Sequence, residues 1–130
     1  MGEAVERDKF YSDSRGPELD RVYWSSDGRD IKAVDYRNPD DCVLRHVKFV
    51  KAQVVMITPE EVIDASKLDP AWEKGVGIVN LGKSAWLNSF APAHLARCDH
   101  YQLLFYDESL DIICEGLEFG EGPYGLISNG

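Results

Sequence analysis

The stretch Cys42–Ile57 limits what this chain can fold into more than any other: sixteen residues without Gly, Pro or Asn, dense in Val, Ile and Phe. A run of that kind reads as one long strand. Its alternation, however, changes phase. Val43, Val47 and Phe49 share one parity, whereas Ala52, Val54 and Met56 take the other, with Lys51 and Gln53 between them. A one-residue slip turns every side chain of a strand to the opposite face. Both sets therefore reach a core only if the chain bulges or bends sharply near Phe49 and Val50, or if two strands meet there.

Hairpins flank this run. Val22-Tyr23-Trp24, the turn Ser26-Asp27-Gly28-Arg29 and then Ile31 to Tyr36 form a first one, because Asp-Gly supplies the backbone freedom a tight turn demands. His100 to Tyr106, the polar loop Asp107-Glu108-Ser109 and Leu110 to Phe119 form a second. In its return strand Leu110, Ile112 and Cys114 share one parity and Leu117 and Phe119 the other, so one residue must be absorbed at Glu115-Gly116.

Helical signals concentrate between the hairpins. Thr58-Pro59-Glu60-Glu61 has a cap, a proline at the first helical position and the acid of a capping box, which predicts a helix to about Ser66. Asp69-Pro70 starts a further turn that Gly75 ends, and Val76 to Leu81 reads as a short strand. Ser84 to Phe90 sets Trp86, Leu87 and Phe90 on one helical face, with Pro92 interrupting or restarting the helix. The polar segment 1–20 reads as a loosely ordered arm, and 21–130 as a single domain. The expected fold is α+β, an antiparallel sheet of about five or six strands with two or three short helices on one face.

Charge narrows the partners. Of the net −9, the segment Cys98–Gly130 holds −7, with seven acids and neither Lys nor Arg. A phosphate-backbone binder needs clustered cations, so the pattern argues against nucleic acid and for a basic protein surface. No apolar run is long enough to cross a membrane as a helix. Three cysteines, Cys42, Cys98 and Cys114, without paired spacing fit a reducing, cytoplasmic setting rather than a disulfide framework. The oligomeric state is open at this level.

Several patterns invite chemistry. Gly77-Ile78-Val79-Asn80-Leu81-Gly82-Lys83-Ser84 matches the text of a phosphate-binding loop, but such a loop needs its strand before the first glycine, and here the strand lies between the two. His94, Cys98 and His100, with Asp99 between, have a spacing that could gather ligands around a pocket, yet no fourth metal ligand is signalled, and no cofactor is expected. Ser84 and Ser89 lack the sharp turn that exposes a serine nucleophile.

Three functions follow as expectations. The first is a noncatalytic binding or inhibitory module that meets a basic partner through Asp107, Glu108, Asp111 and Glu118 of the acidic hairpin. The second is a small enzyme or ligand-binding protein with a pocket between helices and sheet, using His94, Cys98, Asp99 and His100. The third is an assembly subunit that pairs through a sheet edge.

Overall fold

The computed structural model describes residues 3–4, 17–38, 42–62 and 77–125. Nine strands occur in these segments: β1 (Glu3–Ala4), β2 (Glu18–Trp24), β3 (Ile31–Arg37), β4 (Leu44–Val50), β5 (Val54–Pro59), β6 (Ile78–Gly82), β7 (Asp99–Leu104), β8 (Glu108–Cys114) and β9 (Gly116–Glu121). A four-residue helix, α1 (Ala85–Asn88), and 3-10 turns at Glu60–Val62 and Pro92–Leu95 complete the described elements. The strands form two antiparallel sheets, one ordered β1-β6-β7-β8-β5 and the other β2-β3-β4-β9.

The expected α+β fold with a single sheet under helices is thus corrected to a mostly β fold of two sheets. The first reason is the phase change in Cys42–Ile57. At Lys51 the backbone turns through φ 50, so β4 lies in one sheet and β5 in the other. Their partners change sheets at the matching point: β8 runs beside β5 and β9 beside β4, with Glu115 between them. Two backbone bonds carry the ribbon across the corner, Glu115 N–H to Val50 O and Gln53 N–H to Ile113 O, both 2.8 Å. The residue absorbed at Glu115-Gly116 is accommodated by this change of sheet, a known way for strands to turn a sandwich corner.

The second reason is that the first half of the capping-box segment is strand, and only a 3-10 turn at Glu60–Val62 follows it among the described residues. Thr58 and Pro59 close β5, opposite Ser109 and Glu108 of β8. Glu60 N–H donates to Asp107 O at 2.7 Å, which fixes the phase of the ladder. Counting back by twos, Thr58, Met56 and Val54 turn their backbone groups to β8, while Val55, Ile57 and Pro59 turn theirs to the side where no described strand pairs. Proline's missing N–H therefore interrupts no bond with β8, the one position class a strand allows it. Beyond Val62 the expected helix, and all of the Asp69–Gly75 turn, lie outside the described residues.

Both expected hairpins form, β2–β3 and β7–β8, but the return strand of the second ends at Cys114, and Leu117 and Phe119 belong to β9 in the other sheet. Gly28 takes φ 73 in the loop joining β2 to β3, with Gly28 N–H donating to Ser25 O at 2.9 Å. β2 opens at Glu18, within the segment read as an arm, and Glu3–Ala4 pairs with β6. Between the sheets lies one core: Val34, Tyr36, Val47 and Phe49 from one side meet Ile78, Leu103, Leu110, Ile112 and Cys114 from the other. Leu117 and Phe119 pack against it. Each fully buried aliphatic or aromatic side chain of this kind contributes about 1.5–3 kcal/mol. A smaller cluster of Leu87, Leu95, Cys98 and Ile113 seats α1 and the Pro92–Leu95 turn on the outer face of the five-stranded sheet.

Candidate functional site

The outer face of the five-stranded sheet carries polar residues where a β sandwich ordinarily meets water, and here they are covered. β8 alternates Leu110, Ile112 and Cys114 toward the core with Ser109, Asp111 and Ile113 away from it, yet all six are buried. Asp111 is cross-strand partner to Gln102 of β7, and His100 lies two residues along on the same face. Helix α1 passes over this patch. Its N-cap is Ser84, which accepts from Leu87 N–H at 3.2 Å, and its buried Leu87 anchors the turn. So short a helix persists through its cap and its packing rather than its propensity.

These elements join three side chains in a line. His100 Nε2–H donates to Asp111 Oδ1 at 2.7 Å, and Gln102 Nε2–H donates to the same oxygen at 3.1 Å. With its proton on Nε2, the imidazole presents the Nδ1 lone pair to the Ser84 hydroxyl, which donates to it at 2.7 Å. Asp111 and His100 are both 6% exposed, and Trp86 lays its indole 4.8 Å from the imidazole centroid. Ser84 is half-buried, the solvent end of the line. A carboxylate orients and tautomerises an imidazole, and the imidazole in turn polarises a hydroxyl: this is the arrangement of nucleophilic acyl transfer, with the ring turned end for end from its familiar order.

The sequence-derived pocket set separates around this line. His100 joins it. Asp99 does not: its carboxylate accepts from Asn80 Nδ2–H at 3.1 Å and pairs with Lys83 at 3.4 Å. Cys98 is a core residue of the small cluster, and burial, then the charge of Glu115, raise its thiol pKa above the ordinary value. Burial likewise pushes the Cys114 thiol up to about 12, so neither buried sulfur offers a thiolate. His94 is exposed on the Pro92–Leu95 turn. Among the described residues no three His, Cys, Asp or Glu side chains gather as metal ligands. Lys83 donates to the carbonyls of Ala96, at 3.0 Å, and of Cys98, so it ties down the turn before β7 rather than reaching into a phosphate cradle.

The acidic quartet also divides. Asp111, expected on an exposed surface, is buried in the line just described. Glu108 is half-buried, and burial, then neighbouring Asp107, raise its carboxyl pKa. Asp107 is exposed at the β7–β8 turn, whereas Glu118 lies on the other sheet and pairs with Lys48 at 3.7 Å.

The outer face of the four-stranded sheet holds a second buried polar group. Asp35 of β3, 2% exposed, accepts from the Tyr23 hydroxyl at 2.5 Å and from Tyr124 N–H at 2.8 Å. Burial, then the bond to Asp35, raises the Tyr23 hydroxyl's pKa. His46, cross-strand partner of Asp35, donates from Nδ1 to Gly122 O at 2.9 Å. The Tyr124 ring lies across both Tyr23 and His46, at 5.2 and 5.7 Å between centroids. The segment Gly122–Gly125 is thus strapped over the sheet by these contacts.

Among the described residues no helix is long and apolar enough to cross a membrane. No protein-family model, curated protein or solved structure matches the chain.

Proposed function

We propose that this protein is a small hydrolase of activated acyl compounds, esters or thioesters, with Ser84 as nucleophile. The supporting observation is the unbroken line from half-buried Ser84 through His100 to buried Asp111, with both hydrogen bonds at 2.7 Å. Ser84 Oγ attacks the carbonyl carbon while its proton passes to His100 Nδ1. Asp111 stabilises the imidazolium through Nε2–H, and the same proton then leaves with the departing alcohol or thiol. Water repeats the sequence in reverse and releases the acid from Ser84.

A fluorophosphonate probe followed by peptide mass mapping tests the assignment. The expected result is one adduct per chain on the peptide containing Ser84, absent from Ser84→Ala, with p-nitrophenyl acetate hydrolysis falling about 100-fold or more in that variant. Loss of the cap alone costs about 1 kcal/mol, so the variant remains folded enough to assay. A Ser84 that takes no label, with hydrolysis unchanged in Ser84→Ala, would show the line to be a tether for α1 and nothing more.

A second reading, assembly through a sheet edge, has an observation of its own. β5 closes one side of the five-stranded sheet, it is uncharged from Val54 to Pro59, and Met56 and Ile57 are exposed. The outward backbone groups of Val55 and Ile57 can pair with the same groups of a second copy about a two-fold axis at Met56. Natural proteins guard such edges with charge. On this reading the chain sediments as a dimer and Met56→Lys makes it monomeric; a wild-type monomer at high concentration excludes the pairing.

A further inference from the structure

At the end of the sandwich far in sequence from the Ser84 line, the β2–β3 loop meets the corner between β4 and β5. A groove of about 360 Å³ opens there, lined among others by Lys32, Lys48, Lys51, Gln53 and Tyr124. An adjoining smaller cleft shares Asp30 and Gln53 with it and adds Arg29. Four of the chain's fourteen Lys and Arg residues therefore converge on one place in a protein of net charge −9, against the single carboxylate of Asp30. Among the described residues the Lys48 side chain pairs with Glu118 at 3.7 Å, while the side chains of Arg29, Lys32 and Lys51 form no ion pair with a described acid, Arg29 meeting Asp27 through its backbone N–H alone.

Two of these cations sit where the backbone departs from regularity. The register of β2 and β3 steps from Tyr23↔Ala33 to Trp24↔Ile31, leaving Lys32 as the extra residue of a bulge. Lys51 holds φ 50 at the corner, in the left-handed region that glycine occupies without strain. A lysine kept at such a position costs fold stability, and strain held at a residue that lines a groove is an observation that points to use. The groove's size falls within the range of small-molecule sites, and Phe49, Ile31 and the Tyr124 ring supply apolar surface beside the cations.

From this arrangement we infer that the groove is a binding site for a small organic oxyanion, a phosphate or carboxylate carried on an apolar or aromatic body. The cations around Lys51 hold the charged group, and the ring of Tyr124 meets the rest. The site is independent of the Ser84 line, since the two share no residue.

Titration with phenyl phosphate and, separately, with benzoate, followed by amide NMR shifts of the full chain, tests it. The expected result is saturable shifts confined to residues 25–32, 48–53 and 124 with at least one probe, weakening as salt rises. Lys32→Ala and Lys51→Gly each weaken that binding about tenfold, the loss expected for one charge-assisted hydrogen bond. Lys51→Gly meanwhile melts no lower than the wild type, because glycine relieves φ 50. That separation of binding from stability is what a solvated lysine with no ligand would not give. Unsaturable shifts spread over all lysines, or affinities unchanged in both variants, overturn the site; the arm that saturates identifies the oxyanion.

Discussion

Gly120→Ala destabilises the fold by about 3 kcal/mol or more, an unusually large effect for a single methyl group. Gly120 of β9 lies across from His46 of β4, and a Cβ placed on it would stand 2.3 Å from His46 Cε1 and 2.4 Å from Nε2. The imidazole has nowhere cheap to go. It is 5% exposed, bonded to Gly122 O and packed under Tyr124, so moving it releases the strap whose Tyr124 N–H satisfies buried Asp35. Chemical denaturation of Gly120→Ala, His46→Ala and the double variant measures the coupling. In the His46→Ala background the added methyl should cost less than about 1 kcal/mol, the difference being interaction energy. Equal losses in the two backgrounds would mean that the ring is not the obstacle.

Asp111→Ala carries the other large effect, about 3 kcal/mol or more of stability. The carboxylate is the acceptor for both His100 Nε2–H and Gln102 Nε2–H under the cover of α1, and its removal breaks two buried hydrogen bonds to a charged group. A hydrogen bond to a charged group contributes about 1.5–3 kcal/mol. The tautomer that directs Nδ1 at Ser84 is lost as well, so fluorophosphonate labelling of Ser84 should fall in Asp111→Ala even at temperatures where the variant is folded. Undiminished labelling in folded Asp111→Ala would remove His100 from its role as base.

The sequence made the corner legible and the site illegible, for related reasons. Parity is a local property of a strand, so the phase change near Phe49 and Val50, one residue from the turn at Lys51, and the absorbed residue at Glu115-Gly116 could both be read without knowing the partners. Gathering Ser84, His100 and Asp111 required the pairing register. The sequence places the last turn at Asp107-Glu108-Ser109, whereas Phe105 N–H closes it on Glu108 O at 2.9 Å, three positions earlier in pairing terms. With the turn so placed, Asp111 faces Gln102; with the later turn it faces Phe105 and looks like surface charge. The signal available was Gln102 and His100 on one parity of β7, opposite an acid of matching parity. Similarly, Thr58-Pro59-Glu60-Glu61 has every local mark of a helix start and still closes β5, because six cross-strand pairs with β8 outweigh the cap.

The ribbon formed by β4-β5 against β8-β9 supplies the terminal pair of strands to both sheets, with its backbone bonding unbroken at the corner. This settles how the molecule can come apart. A fluctuation that peels β8 from β5 pulls on β9 and β4 through Glu115, so the terminal pairs of the two layers open together. The amides of Val47 and Ile112, one from each layer of this ribbon, are therefore expected to exchange with solvent through the same opening.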